Sequence, residues 1–357
     1  MSWKMPIIDI HTHGIGGCDT KCAGPEDILR IAEIHGSHGV DAIIPTIYSA
    51  SVEQMRLDIT AVKKAMEMQA AGGSGSRPAF RWFSRGFKVQ GSGFKKKTMV
   101  IGQPETVNRK LNPGTKKNIE LRTLKLERRP SGDASPAAIL GVHLEGPFLN
   151  PARGGALDVN SFLPTKISHY KELIEGFGEV VKIITVAPEL DGASLLIKSI
   201  ADTGIIVSMG HSNATHSEAE AGFNAGAKGI THIFNAMRDI HHREPGISGF
   251  GLTNPHIYVE IIADPFHLHP KTIELIFSAK KPGKIIIVSD SVKNAQADIT
   301  AQGITDSTGR LLGGSTTITE SAQYLIGLGF QKDRIERCIS NNPEMYLIEG
   351  PSLTGSP

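Results

Sequence analysis

Eight short apolar runs punctuate the chain, and most are separated by stretches with helical periodicity. The runs are 7–13 (IIDIHTH), 41–48 (DAIIPTIY), 139–146 (ILGVHLEG), 180–189 (VVKIITVAPE), 205–213 (IIVSMGHSN), 229–237 (GITHIFNAM), 258–264 (YVEIIAD) and 284–290 (KIIIVSD). Between them, Val52, Met55, Ile59, Val62 and Met66 recur at helical spacing, as do Ala193, Leu196, Ile197 and Ile200. Thr215 with Glu218, and Thr317 with Glu320, have capping-box spacing at helix starts. Strands alternating with helices in this way predict an α/β chain folded as a parallel (β/α)8 barrel. A doubly wound open sheet is the alternative, but no GxGxxG turn follows the first run to favour it.

The chain's 357 residues suffice for one such barrel, expected over 1–350. The start, MSWKMPIIDIHTHG, lacks a cationic stretch followed by an apolar one, so no signal peptide is expected. No apolar run approaches the roughly 20 residues that span a membrane. Cys18, Cys22 and Cys338 are too few for a disulfide framework, and Cys18 and Cys22 read as ordinary loop thiols. These features predict a cytoplasmic enzyme with no membrane partner.

The net charge of +2 is unevenly spread. Residues 72–132 hold 15 Lys/Arg against 3 Asp/Glu, leaving an acidic remainder. A barrel connects a helix to the next strand in a few residues, so this stretch reads as an insertion between helix 2 and strand 3. Two GSG triplets bracket its aromatic-basic piece, as flexible linkers would. Phe80, Trp82, Phe83 and Phe87 among the cations would suit single-stranded nucleic acid. A solvated linker is the preferred reading, and nucleic acid is not an expected partner.

Chemistry gathers where the runs end. His11 and His13 close the first, Glu145 the third, His211 the fifth, His232 the sixth and Asp290 the eighth. The C-terminal ends of barrel strands share one mouth, so these residues are expected to converge there. Imidazoles with carboxylates suit Zn2+ or another first-row divalent ion. His143 shares the parity of Glu145, which places it on the same face one layer deeper, as support. Asp290 is placed to accept a proton from water activated by the ion and to return it to a leaving amine, which predicts hydrolysis of an amide or ester.

The motifs HTHG, GVHLEGPFLNP, GHSNA, THIFNAM, HHREPG and IIADPFHLHP, in this order, resemble those of the N-acetylglucosamine-6-phosphate deacetylase family in the amidohydrolase superfamily. The resemblance implies a (β/α)8 barrel that removes the acetyl group of N-acetylglucosamine 6-phosphate. It implies Glu145, His211 and His232 as principal metal ligands, His11 and His13 as ligands of a second ion, and Asp290 as the catalytic acid/base. One or two ions are compatible, with Zn2+ preferred and Fe2+ among the alternatives. Asn235, Ala236, Arg243, His267, Leu312 and Gly313 would contact the phosphorylated amino sugar, and the assembly would be a homodimer. Arg243 and nearby backbone N–H groups suit a phosphate, and His267 suits the sugar or the acetyl carbonyl.

Leu157 stands where many members have a sugar-contacting His. A related amidohydrolase acting on another N-acyl amino sugar or a cyclic amide is therefore the second expectation. The family's small β-domain, built from both termini, is expected to be absent or drastically shortened, because only six residues precede the first run.

Overall fold

A computed structural model describes residues 3–72, 135–296 and 303–349. The basic segment 72–132 lies outside the described residues except for Gly72. Eight parallel strands form one sheet: β1 (Ile8–Thr12), β2 (Ala42–Tyr48), β3 (Val142–Glu145), β4 (Val181–Val186), β5 (Ile206–Met209), β6 (Gly229–Ile230), β7 (Tyr258–Ile262) and β8 (Ile285–Val288). Each strand pairs with the next in chain order. The ring closes where the Asp290 amide donates to the His11 carbonyl at 2.9 Å and Thr12 bridges Ser291 in parallel. The architecture is therefore the (β/α)8 barrel and not an open sheet.

The strands are apolar on both faces, as a sheet covered on both sides requires. Ile43, Ile47, Leu144, Ile184, Val186, Ile285 and Ile287 belong to the outer core. Helices α1 (Pro25–Ser37), α2 (Val52–Ala71), α4 (Ala193–Ala201) and α7 (Pro270–Ala279) pack onto it, with α3 (Ile167–Ile174), α5 (His216–Asn224) and α6 (Gly246–Thr253) between them. After β8 the chain forms α8 (Ile318–Gly327), α9 (Lys332–Ile339) and α10 (Asn341–Ile348). The inner core is Ile8, Ile10, Ala42, Ile44, Leu140, Ile183, Ile206, Ile286 and Val288.

Local sequence explains most helix positions. Met55, Ile59 and Val62 are buried on α2, as are Leu196, Ile197 and Ile200 on α4. Both expected capping boxes form, at Thr215–Glu218 and Thr317–Glu320. Among the described residues, no helix is long and apolar enough to cross a membrane. Cys18, Cys22 and Cys338 are free thiols.

Several strands stop short of their apolar runs. The largest correction is the run 229–237, where only Gly229–Ile230 is strand. His232, Phe234 and Ala236 take positive φ (29°, 77° and 50°), so 231–236 is a turn despite its β-branched composition. The run 205–213 likewise leaves the sheet after Met209, with His211 at φ 48°.

Candidate active site

The first strand solves a geometric problem. Ile8 and Ile10 lie in the inner core, so strict alternation would point His11 outward. The pairing of β1 with β2 slips between Asp9 and Thr12, and this irregularity turns His11 and His13 into the mouth. Thr12 then faces outward, its hydroxyl 3.1 Å from His35 Nε2 on α1 and 2.8 Å from Ser291 Oγ. On β3, alternation is undisturbed up to the strand end, and His143 and Glu145 register against Thr46 and Tyr48 of β2.

Three other site residues leave their strands in the left-handed region: His211 at φ 48°, His232 at 29° and Asp290 at 48°. Such values are uncommon without glycine, and strain of this kind tends to sit at functional sites. All six expected residues meet as a result. His11, His13, Glu145, His211, His232 and Asp290 are each no more than 9% exposed.

Glu145 is the hub. Its Oε1 lies 2.9 Å from His211 Nε2, 3.0 Å from His232 Nε2 and 3.6 Å from His11 Nε2, while Oε2 lies 3.1 Å from His13 Nε2. Asp290 Oδ1 is 3.2 Å from His11 Nε2 and 3.4 Å from His13 Nε2. Two groups have ligand atoms within 4.8 Å of one another: His11, His13 and Asp290, and His11, Glu145 and His232. His211 falls in neither group but shares Glu145 Oε1 with His232.

These donors fit a divalent cation. His211 Nδ1 donates to the Arg153 carbonyl at 3.0 Å, which leaves the Nε2 lone pair facing Glu145. Lone pairs of several imidazoles crowd one carboxylate, an arrangement that requires positive charge at its centre. The titration behaviour reports the same demand. Burial pulls His13 and His232 down, but hydrogen bonds and charge from Glu145 and Asp290 outweigh it and raise them to about 10 and about 9. Burial pushes Glu145 and Asp290 up, yet the surrounding imidazoles hold both below the ordinary carboxylate range.

A supporting layer lies beneath. His143 Nδ1 donates to the Ile10 carbonyl at 3.3 Å, and its Nε2 accepts from Thr185 Oγ1 at 2.8 Å. Burial holds its pKa well below the usual value, so the ring is neutral. Its centroid lies 4.7 Å from that of His11, edge to face, and Glu260 Oε2 sits 3.4 Å from His11 Nδ1.

The expected substrate residues fall into two groups. Leu312 and Leu157 line a cavity of about 300 Å3 beside the cluster, next to Tyr48, whose ring stacks on His13 at 3.8 Å. Gly313 adjoins this wall, with φ 155° and no room for a side chain, since a Cβ there would lie 2.4 Å from Val292 Cγ1. Asn235 and Ala236 lie in the turn after β6, and the Ala236 carbonyl accepts from the Ser212 amide at 3.1 Å. His267 Nδ1 donates to Asp264 at 3.0 Å, leaving its other ring nitrogen available. Arg243 is exposed, with Nη1 3.0 Å from His242 Nε2 and no carboxylate partner among the described residues. Tyr48 and Asp264 were not singled out from the sequence, although both end or nearly end apolar runs, which is the signal that identified Glu145.

A ring of parallel strands with an imidazole–carboxylate cluster at its C-terminal mouth has that cluster where (β/α)8-barrel enzymes build their active sites. Curated relatives of this chain include proteins named as deacetylases of N-acetyl amino sugar 6-phosphates. The N-acetylglucosamine-6-phosphate deacetylase of Bacillus subtilis (strain 168) is 38% identical over 182 residues, covering 51% of this chain and 44% of that protein. The N-acetylgalactosamine-6-phosphate deacetylase of Escherichia coli O157:H7 is 36% identical over 159 residues, covering 44% of this chain and 42% of that protein. The Vibrio furnissii N-acetylglucosamine-6-phosphate deacetylase is 28% identical over 269 residues, 75% of this chain and 51% of that one. The chain thus spans about half the length of the curated relatives it matches. No family model matches it.

Solved structures agree on the fold. The N-acetylglucosamine-6-phosphate deacetylase of Thermotoga maritima superposes with a TM-score of 0.71 at 24% identity, covering 96% of this chain and 78% of that one. A mutant of the Mycobacterium smegmatis enzyme in complex with N-acetyl-D-glucosamine-6-phosphate gives 0.73 at 21% identity, covering 96% and 77%.

Proposed function

We propose that this protein hydrolyses the acetamido group of N-acetylglucosamine 6-phosphate, giving glucosamine 6-phosphate and acetate. The observation that carries this reading is the convergence of four imidazoles on Glu145 with Asp290 at their edge. The similarity to curated deacetylases supports it.

Glu145, His211 and His232 would hold the principal ion, and His11 and His13, with Asp290 beside them, a second where two bind. Zn2+ is the preferred identity and Fe2+ an alternative, because imidazole and carboxylate suit both. A divalent ion held there supplies Lewis-acid polarisation of the scissile carbonyl and a nucleophile at neutral pH. The chain's residues do the rest. His143 and Glu260 fix the orientation of His11 from below, and the Arg153 carbonyl fixes that of His211. Asp290, held ionised by His11 and His13, accepts the proton of the attacking water and passes it to the departing amine. His267, oriented by Asp264, hydrogen-bonds the sugar or the acetyl carbonyl. Asn235, Ala236 and Arg243 receive the phosphate end, while Leu312 and Gly313 border the sugar. A homodimer in the cytoplasm, with 72–132 as an insertion in the barrel, completes the proposal.

The test is free-amine release from N-acetylglucosamine 6-phosphate by the purified, Zn2+-loaded full chain. Asp290→Asn keeps the shape and removes the base, so turnover should fall by roughly 10²–10⁴ with metal retained. An Asp290→Asn protein that turns over like the parent would remove Asp290 from this role.

A further inference from the structure

Glu189 has no part in the site described above. It follows β4 by three positions and is half-buried. Its carboxylate accepts three hydrogen bonds. Oε1 takes one from Asn150 Nδ2 at 2.8 Å and one from the Asn213 amide at 2.6 Å, and Oε2 takes one from Ser212 Oγ at 2.7 Å. All three donors are neutral groups, and they belong to the loops after β3 and β5.

Those two loops form the surroundings of His211. The Asn150 amide donates to the His211 carbonyl at 3.0 Å, and Asn150 Oδ1 accepts from the Ala152 amide at 2.9 Å, capping the turn Pro151–Arg153. That turn ends in the carbonyl to which His211 Nδ1 donates. Arg153 Nε donates in turn to Asn213 Oδ1 at 3.0 Å. Arg238, beyond the turn after β6, donates from its amide to the Ser212 carbonyl at 3.0 Å and from Nε to the Asn213 carbonyl at 2.7 Å. Glu189 is the point where these bonds meet. His211 requires such bracing, because its φ of 48° persists only where the surroundings over-determine it.

We propose that Glu189 is a positioning residue for the metal site, tying the loops after β3 and β5 together and so fixing the direction in which His211 Nε2 points. The inference rests on the reading of His211 as a ligand of the principal ion. Its effect passes through Asn150, Ser212 and Asn213, and not through contact with the reacting groups. Without Glu189 three donors lose their acceptor, and His211 is free to relax from the left-handed region. Metal affinity then suffers before the barrel does.

The experiment measures Zn2+ affinity of the full chain by competition with a chromophoric chelator, and the visible absorption of the Co2+-loaded chain. The proteins are the parent, Glu189→Ala, Asn150→Ala, His211→Ala and Leu196→Ala. Substituting the outer partners of metal ligands weakens binding by about 10–100-fold, and Glu189→Ala should fall in that range with an altered Co2+ spectrum. Asn150→Ala cuts one of the same links from a half-buried position. It should weaken binding too, and it carries the test should Glu189→Ala not fold. Leu196→Ala, in the outer core on α4, should lower the urea midpoint of the metal-free chain at unchanged Zn2+ affinity, which separates positioning from general loosening. Parental affinity and spectrum in Glu189→Ala, or in Asn150→Ala where only that variant folds, overturn the inference; weakened binding in His211→Ala would then leave the ligand assignment standing. Parental affinity in His211→Ala overturns the assignment and the inference with it.

Discussion

His35 offers a pH-dependent test of how β1 is held. Its ring is fully buried on α1, with Nε2 3.1 Å from Thr12 Oγ1 and Nδ1 without a hydrogen-bond partner. Burial, helped by the charge of His38, lowers its pKa from 6.5 to about 3. In the unfolded chain the imidazole takes a proton as pH falls through about 6.5, whereas the folded protein leaves it neutral until about 3. The unfolded state binds more protons throughout that window, so stability falls as pH falls. At pH 5 the difference is about 1.5 units at 1.36 kcal/mol each, or about 2 kcal/mol lost to this residue. His35→Leu removes the proton uptake together with the bond to Thr12. The variant should therefore be about 0.5–1.5 kcal/mol less stable at pH 7.5. Between pH 7.5 and pH 5.0 it should lose about 2 kcal/mol less than the parent, which reverses their order and leaves the variant about 0.5–1.5 kcal/mol the more stable at pH 5.0. Urea unfolding followed by circular dichroism at both pH values, with a chelator present so that metal release does not contribute, measures this difference. Parallel acid losses in the two proteins would refute the reasoning, because the effects of all other titrating groups cancel in the comparison.

Two further substitutions probe the mouth and the layer beneath it. Glu145→Gln removes the charge on which His211, His232 and His13 converge, so metal content by atomic emission should fall steeply while the far-ultraviolet dichroism spectrum is retained. Unchanged stoichiometry would show that the ion sits elsewhere. Thr185→Val takes away the hydroxyl that donates to His143 Nε2 and also contacts Thr231 Oγ1 at 2.9 Å, leaving buried acceptors unpaired. It should cost about 1–3 kcal/mol in denaturant unfolding, and a neutral result would mean that His143 is held by Ile10 alone.

The parts of this molecule legible in its sequence are those set by local periodicity. Eight apolar runs gave eight strands because a barrel strand buried on both faces must be apolar throughout. The six chemical residues stood at the ends of those runs, where an ionisable side chain has no place in a core. Other features depend on contacts between distant segments. The slip between Asp9 and Thr12 is set by pairing with β2 and leaves no mark in IIDIHTH. The turn at 231–236 hides within residues of high strand propensity, and its three positive φ values fall on His, Phe and Ala instead of glycine. The cavity next to Tyr48 is assembled from the loops after β1, β2, β3 and β8, so no single stretch announces it.

The slip and the closure of the barrel are one feature. The Asp290 amide donates to the His11 carbonyl at 2.9 Å, and the His13 and Gly14 amides donate to the Ser291 carbonyl at 2.8 and 2.9 Å. These bonds join the first strand to the segment after the last. They run through the backbones of the same residues whose side chains form the His11–His13–Asp290 group. Ser289 Oγ lies 3.3 Å from the His11 carbonyl and 3.2 Å from Ser291 Oγ, so the seam is built largely from hydroxyls and main chain. A polar seam is costly to bury unless every partner is present. Here its hydroxyls and main-chain amides are paired with one another and, through Thr12, with His35 Nε2. A substitution that loosens this seam should therefore alter the spacing of His11, His13 and Asp290 before it unfolds the barrel. Metal affinity and the global unfolding midpoint should respond separately to it, whereas a substitution in the outer core should move the unfolding midpoint first.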